Sequence, residues 1–385
     1  MEQLLDLGSQ PPSNRFAAIG VVHSDSHPLV LGQCVECGLV QLIAPMPAEM
    51  VRSRYEWIRY NEPEGHLDDL VRQLAGAIGT GAQIAGLTYK DQSTIDRFRR
   101  LGYSNSNCFD AEADLGISDS CAGLETIQSA INRGLVDRLE KKYGQVDLLL
   151  VRHVLEHVHQ PRDFLLALSR LLRPGGHLVI EVPDSRKFIK ACDYSFIWEE
   201  HITYFSQRTL EDFANRNGFE VRDIFVYPYP YEDSLVAVLR TDTSAPQSVH
   251  AEVKEAEEEA GRNFGARFVA VRNGYQRFLA SQRQAGKRVA LFGAGHLAVK
   301  FLNFFQLASY VDAVIDDHPQ KMGMVMPGSS IPIISSTRLA EFDLCLLSLS
   351  PESEAKVTEK HSAYIAGGGA FASIFTLSPR ALKLA

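Results

Sequence analysis

The stretch VDLLLVRHVLEHVHQPRDFLLALSRLLRPGGHLVIEVPD, residues 146–184, decides the fold of this chain. VDLLLV is an apolar run too short for a typical helix and predicts a buried strand, and HLVIEV predicts another. Between them, DFLLALSRLL has amphipathic helical spacing, and RPGG ends the helix because Pro and Gly interrupt helical backbone. Strand, helix and strand in this order predict parallel neighbours in a doubly wound α/β sheet.

The same alternation continues on both sides of this stretch. AQIAGLT and TIDRFRRLGY predict an earlier strand and helix, and a charged helical pattern follows at 250–285. The α/β pattern then restarts with RVALFG, the turn GAGH and the helix LAVKFLNFF. We therefore predict four parts: an N-terminal segment (1–64), a Rossmann-like domain (65–245), a connector helix (246–285) and a second Rossmann-like α/β domain (286–385).

Composition and charge narrow the class of protein. The chain has 385 residues, of which 45% are hydrophobic and 22% charged, as in soluble globular proteins. A net charge of −8 argues against nucleic acid or an anionic membrane as partner. No apolar run spans a bilayer, and the start MEQLLDLGSQPPSN lacks signal-peptide features. We expect a cytoplasmic protein with a small-molecule substrate and reduced cysteines; the oligomeric state stays open.

The string RHVLEH, residues 152–157, raises the question of a metal site. His153, Glu156 and His157 fit the H-x-x-E-H pattern of one zinc-protease class, in which the string lies on a helix. Here it directly follows a predicted strand, at the end where open α/β sheets bind ligands, and no segment with a third ligand is evident. Two other interpretations remain: a turn that caps the next helix, and a loop that lines a cofactor pocket.

The whole chain resembles a known family. The 146–184 stretch, with HVLEH, LLRPGG and a final acidic residue and Pro, resembles the late half of a class I S-adenosylmethionine-dependent methyltransferase domain. The stretches HPLVLGQCVECGLVQL, WEEHITYFSQRTLEDFANRNGFEV and VALFGAG…VIDDHPQKMGMVMPGSSIPI resemble, in the same order, the nucleotide-sugar C-methyltransferases, which methylate a 3-keto deoxysugar carried on a nucleotide. The resemblance implies S-adenosylmethionine as cofactor and makes RHVLEH the loop after the fourth strand.

One departure from the family concerns zinc. The family carries two cysteine pairs near its N-terminus, which together form a closed tetrahedral site, whereas only Cys34 and Cys37 have a counterpart here. His23 and His27 lie nearby in the sequence and offer further ligands; the alternative is two buried thiols beside exposed histidines. Because two thiolates leave the tetrahedron open, we predict that this segment holds no full structural zinc.

A second departure concerns the cofactor loop. QIAGLTYKDQSTIDRF keeps Gly86 but lacks the E-x-G-x-x-x-G pattern that lets the backbone approach the cofactor. A bulky turn narrows, reshapes or abolishes the pocket. The resemblance and the strand ends give Gly86, Thr88, Asp91, Asp110, Arg152 and His153 as candidate cofactor-binding residues. Asp110 stands where an acidic residue accepts hydrogen bonds from a ribose, and the alternative is an exposed loop aspartate.

The resemblance also implies catalytic residues. Glu200 and His201 match the family's Glu-His pair, which would remove a proton from the carbon beside a ketone. Tyr204 would donate a hydrogen bond to the enolate oxygen. Trp198 replaces a family tyrosine, so Tyr55 or Tyr60 is expected to substitute for that hydroxyl. The alternative is that His201 is a buried structural histidine.

Substrate contacts are expected from Trp198 and the C-terminal domain. The GAGH turn, with Gly293, Gly295 and His296, opens a helix whose N-terminus can hold a phosphate. Lys321 would meet a diphosphate or is a solvated loop lysine. The expected function is C-methylation of a nucleotide-linked keto sugar, or a related metabolite, through His-assisted enolate formation. The alternatives are a degenerate relative that binds a sugar nucleotide or a partner, and a non-C-methyl reaction on the same fold.

Overall fold

The computed structural model describes residues 1–21, 25–56, 58, 62–241 and 251–384. Its N-terminal part begins with a small antiparallel sheet, because strands β1, β3 and β4 alternate buried and exposed side chains. The elements of this part are β1 (Glu2–Gln10), β2 (Ala17–Ala18), β3 (His27–Gln33), β4 (Val40–Leu42) and α1 (Ala48–Val51).

The central part builds a six-stranded sheet in the order β6-β5-β7-β8-β11-β10. The strands β6, β5, β7 and β8 are parallel, and β11 is antiparallel to both of its neighbours. This architecture confirms the Rossmann-like fold predicted from the sequence. The elements are α2 (Leu67–Ala75), β5 (Ile84–Gly86), α3 (Gln92–Arg100), β6 (Ser106–Cys108), α4 (Leu124–Ile127), α5 (Arg133–Tyr143), β7 (Val146–Arg152), α6 (Pro161–Leu168), β8 (Leu172–Asp184), α7 (Arg186–Ala191), β9 (Thr203–Tyr204), α8 (Gln207–Arg216), β10 (Phe219–Tyr227) and β11 (Asp233–Thr241).

Burial on both faces explains the continuous apolar run of β7. Leu149 and Val151 belong to one buried cluster, together with residues of α5 and α6. Leu148 and Leu150 belong to another cluster, with residues of α2 and α3. Because successive strand residues point to opposite faces, a strand covered by helices on both sides needs apolar residues at every position.

The C-terminal part repeats the α/β plan on a smaller scale. A parallel five-stranded sheet in the order β15-β13-β12-β16-β17 follows a long helix. The elements are α9 (Ala251–Gln284), β12 (Val289–Phe292), α10 (His296–Phe304), β13 (Ala313–Ile315), β14 (Met324–Val325), β15 (Ile333–Ile334), β16 (Leu344–Leu347), α11 (Pro351–Lys360), α12 (Ser362–Ala366) and β17 (Ala370–Ser373). In the described part of the chain, no helix combines the length and apolar character that a bilayer crossing needs.

The segment 198–204 joins the three parts. Its end, β9, pairs with β4 and completes the N-terminal sheet. Its second residue, Glu199, is buried and forms an ion pair with Lys300 of α10 and a hydrogen bond from the backbone N–H of Ser13. The strand β2 also pairs with β14 of the C-terminal part. The segment is therefore fixed from both ends of the chain.

We expect Lys300→Met to lower the free energy of unfolding by about 3–5 kcal/mol, because it leaves the buried Glu199 carboxylate without its cation. The measurement is urea unfolding. Arg338→Met, which breaks the exposed pair with Glu341, serves as the control and is expected to leave the midpoint unchanged. If Lys300→Met unfolds at the parent midpoint, the pair does not hold the segment.

Candidate active site

A cavity of about 760 Å³ lies at the carboxyl ends of β5, β7 and β8. This volume is in the range of small-molecule sites, and the edge is where open α/β sheets bind ligands. The N-terminal part and the segment 198–201 close the cavity from above. Its lining residues are Asn14, Ser53, Ile58, Glu62, Glu64, Tyr89, Lys90, Gln92, Ser93, Asp96, Cys121, Ala122, Gly123, Leu124, Glu125, His153, Glu156, His157, Pro183, Trp198, Glu200, His201 and Glu232.

The turn after β5 is fastened to the end of β7 by Asp91. This buried carboxylate accepts hydrogen bonds from the backbone N–H groups of Thr88 at 2.9 Å and Arg152 at 3.0 Å. These hydrogen bonds lower the pKa of Asp91, but burial outweighs them and raises it to about 7. A Cβ on Gly86 would lie 2.5 Å from the Sγ of Cys108 and 2.6 Å from the Cβ of Asp91. Gly86, Thr88 and Asp91 thus form the packed floor beneath the cavity.

Arg152 and His153 follow β7 and share one carboxylate. Glu181 is buried and contacts Arg152 Nε at 2.5 Å and His153 Nε2 at 3.2 Å. Arg152 also donates to the carbonyl of Lys90 at 2.6 Å, so it holds the turn in place. Burial lowers the pKa of His153, but the carboxylates of Glu181, Glu156 and Glu62 together outweigh burial and raise this pKa to about 10. His153 is therefore a cation in the cavity wall, whereas Arg152 lies behind the wall.

The string RHVLEH forms a 3₁₀ turn, Leu155–His157, not the α-helix of a zinc protease. Its last two residues line the cavity opposite His201, which arrives from the segment 198–204. Among the described residues, Glu156, His157 and His201 form a group of three metal-type ligands, all buried. The loop interpretation agrees with this placement, and His201 adds a third potential ligand, which the sequence did not reveal.

The segment 198–204 is held by its own tyrosine. The hydroxyl of Tyr204 accepts a hydrogen bond from the N–H of Trp198 at 2.9 Å and donates to its carbonyl at 3.0 Å. Tyr204 is buried, and it is not among the residues that line the cavity. His157 Nδ1 contacts the carbonyl of Glu200 at 2.8 Å. These bonds present Trp198, Glu200 and His201 to the cavity.

The electrostatics of the pair Glu200–His201 follow from burial. Burial, and then the neighbouring Glu125 carboxylate, raises the pKa of Glu200 well above its ordinary value. Burial, and then His157, lowers the pKa of His201 well below its ordinary value. His201 stacks on Trp198 with ring centroids 4.6 Å apart. Near neutral pH the site thus offers a neutral imidazole, next in sequence to a carboxyl group whose ionisation is disfavoured by burial.

Other predicted residues lie away from the cavity. Asp110 is exposed, accepts hydrogen bonds from the N–H groups of Glu112 and Ala113, and borders a separate cavity of about 340 Å³. The hydroxyl of Tyr55 donates to the carbonyl of Phe16 at 3.1 Å. Tyr60 lies outside the described residues. The structure therefore gathers Trp198, Glu200, His201 and His153, but not Asp110.

The candidates of the C-terminal part surround one turn. Gly293 has a φ of 100° and would bring a Cβ within 3.1 Å of the carbonyl of Ser348. Lys321 donates to the carbonyl of Ala294 at 2.8 Å and to Asp316 at 2.9 Å, so it braces the turn that contains Gly295. The ring centroids of His296 and Trp198 lie 3.6 Å apart, so this turn packs against the segment 198–204.

The cysteine pair lies elsewhere, in the turn between β3 and β4. Both thiols are half-buried, and burial raises the pKa of Cys37 to about 11. His27 Nε2 contacts the carbonyl of Ala44 at 3.1 Å, and His23 lies outside the described residues. Among the described residues, the pair joins no group of three potential ligands.

Sequence reasoning gave no site role to six acidic residues that line the cavity: Glu62, Glu64, Asp96, Glu125, Glu156 and Glu232. Burial raises the pKa of Glu232 to about 8. Only Glu156 carried a signal, its place in RHVLEH. Glu62, Glu64 and Glu232 lie between the regular elements, whereas Asp96 lies in α3 and Glu125 in α4. No motif marks any of these five residues.

Three family models match parts of the chain. "Methyltransferase domain" matches residues 90–224, "C-methyltransferase C-terminal domain" matches 234–375, and "Putative zinc binding domain" matches 1–51. A curated relative, C-methyltransferase NovU of Streptomyces niveus, is 23% identical over 373 residues, which are 89% of this chain and 85% of the relative. These matches confirm the methyltransferase resemblance.

Solved structures of methyltransferases are also similar to the chain. A 1,6-didemethyltoxoflavin-N1-methyltransferase of Burkholderia thailandensis is 15% identical, covers 59% of this chain and 100% of its own, and has a TM-score of 0.35. An Aquifex aeolicus enzyme described as a SAM dependent methyltransferase is 12% identical, covers 46% and 93%, and scores 0.29. At TM-scores this low, neither structure bears on the site or the substrate.

We expect Glu200→Gln to raise stability at pH 8 and to leave it unchanged at pH 4 or below. The folded-state pKa of Glu200 lies above its ordinary 4.5, so the parent loses stability as the pH rises above about 4.5 towards the folded value. The glutamine cannot ionise and avoids this loss. Urea midpoints at the two pH values measure the effect, with the exposed Glu211→Gln as control. Equal midpoints of parent and Glu200→Gln at pH 8 would contradict it.

Proposed function

We propose that this chain, which matches the models of a methyltransferase domain and of a C-methyltransferase C-terminal domain, methylates a carbon beside the ketone of a nucleotide-linked sugar. The observation that carries the proposal is a neutral His201 in a cavity of ligand size at the carboxyl ends of the sheet. The sugar and its nucleotide rest on the resemblance of the chain to its family. The cytoplasmic location expected from the sequence stays a prediction.

The charged residues of the cavity and its location at the carboxyl ends of the strands both suit S-adenosylmethionine. S-adenosylmethionine supplies a methyl group on a sulfonium, which an adjacent carbanion or enolate accepts. Carboxylates of the wall, among them Glu62 and Asp96, suit a ligand with a sulfonium and an ammonium group. His153, a cation, suits its carboxylate. Tyr89 and Lys90 line the cavity at the turn after β5, where the glycine loop of the family is expected.

In the proton step, His201 accepts the proton from the carbon beside the ketone. Its low pKa keeps the imidazole unprotonated at neutral pH, as a base requires, although the same shift makes it a weak base. The enolate oxygen then needs a donor. The hydroxyl of Tyr204 is bonded to the backbone of Trp198, so we assign this role to Glu200, which lines the cavity and whose protonated form is favoured by burial. Glu200 thus becomes a hydrogen-bond donor instead of an orienter.

The packed turn favours a second candidate. Asp91 and the neighbouring Cys108 take up the space that a glycine loop leaves open above Gly86. A chain that had lost cofactor affinity in this way would still bind a sugar nucleotide or a partner in the remaining cavity. Cofactor binding separates the two candidates.

S-adenosylhomocysteine is expected to raise the melting temperature. A ligand at 100 times its dissociation constant adds about 2.7 kcal/mol to the stability of the folded state. Homocysteine alone serves as the control and is expected to give a smaller shift, because it lacks the adenosine half of the ligand. An unchanged melting temperature with millimolar S-adenosylhomocysteine would favour the second candidate.

His201→Ala is expected to slow proton removal by about 10²–10⁴ and to leave cofactor affinity unchanged, because only the base is lost. The measurement is solvent-deuterium exchange at the carbon beside the ketone of a nucleotide-linked keto sugar, with methyl transfer in parallel. His159→Ala, outside this cavity, is the matched control. Exchange and methylation at the parent rate in His201→Ala would refute the assignment and turn attention to Tyr204, Tyr55 and Tyr60.

A further inference from the structure

The group Glu156, His157 and His201 brings together two imidazoles and a carboxylate. One potential ligand atom from each lies within 4.8 Å of the other two, and all three residues are buried. The imidazole rings of His157 and His201 meet edge to face, with centroids 4.8 Å apart. Two histidines and one carboxylate are a ligand set of borderline divalent transition metals and leave further coordination positions open.

The hydrogen bond of His157 fixes which of its nitrogens is available. Nδ1 lies 2.8 Å from the carbonyl of Glu200, which only accepts, so Nδ1 carries the proton. The lone pair is then on Nε2. Metal-binding histidines are oriented in this way, by donating the other ring N–H to a backbone carbonyl.

The carboxylate of Glu156 has no comparable bond. Both of its oxygens are buried and without a hydrogen-bond partner, and the nearest cation is His153, whose Nδ1 lies 3.4 Å from Oε1. His153 compensates part of this charge, but both carboxylate oxygens still lack a hydrogen-bond donor, and a cation between Glu156 and the two imidazoles would give them a further partner. The acidic Glu125 and Glu200 line the same part of the cavity.

We propose that Glu156, His157 and His201 bind a divalent transition-metal cation at the wall of the cavity. Metal–nitrogen bonds of about 2.1 Å require the ligand atoms to approach one another by about 1 Å. The cavity gives a bound cation room for water or a small oxygen ligand in its open positions. Because a single lone pair of His201 cannot bind the metal and accept a proton together, the metal-bound form is inactive in proton removal.

The test uses the full-length protein, stripped with a chelator and titrated with Co²⁺. We expect one Co²⁺ per chain, with visible bands of nitrogen and oxygen ligation and no thiolate charge-transfer band. Glu156→Gln, an isosteric change, and His157→Asn should each weaken binding by at least about 100-fold. The double variant Cys34→Ser/Cys37→Ser should bind like the parent.

Circular dichroism and melting curves verify that each variant is folded, and the spectrum of the parent alone identifies the ligands. Three results would overturn the proposal: no Co²⁺ bound above background, thiolate bands that vanish in the cysteine variant, or parent affinity in a folded Glu156→Gln. Binding of S-adenosylhomocysteine is measured separately, so failure of the metal site is distinguishable from failure of the methyltransferase proposal.

Discussion

The ion pair between Glu199 and Lys300 is the constraint on which the site depends. Two charges away from water are tolerated only when they meet each other, so the segment 198–204 has one position relative to α10. The N–H of Ser13 binds the same carboxylate and adds the N-terminal part. Glu200 and His201 follow directly in the chain, and their place in the cavity is a consequence of this anchor.

A second buried carboxylate, Glu181, organises the opposite wall. It accepts a hydrogen bond from Ser234 at 2.7 Å and meets Arg152, His153 and His66. One anion among several potential cations holds the ends of β7, β8 and β11 together. The arrangement places a charged His153 on the surface of the cavity while Arg152 stays behind it. The position of each charged residue at the strand ends thus decides whether it faces the cavity. The order of these residues in the sequence does not decide it.

The departures from the family have physical counterparts. Where a glycine loop is expected, Thr88 and Asp91 cap a 3₁₀ turn and fasten it to the N–H of Arg152. Where a tyrosine is expected, Trp198 packs between the rings of His201 and His296. The 3₁₀ turn thus fills space where the family has an open glycine loop, and Trp198 places a packed ring where the family has a polar tyrosine. Seven acidic residues and three histidines are among the residues that line the remaining cavity, and the acidic residues suit a cationic cofactor.

The sequence by itself determined the sheet and the position of the Glu-His pair along the chain. Apolar runs such as 148–151 encode burial on both faces of a strand, and this is a local property that spacing reveals. Only the tertiary structure decided that His201 lies close to Glu156 and His157. It also decided that the hydroxyl of Tyr204 is hydrogen-bonded to the backbone of Trp198 and that Asp110 lies outside the cavity. These placements bring together residues from separate elements, or depend on the direction in which a side chain points. They are set by packing and by the cost of burying charge, which no pattern of residues along the chain records.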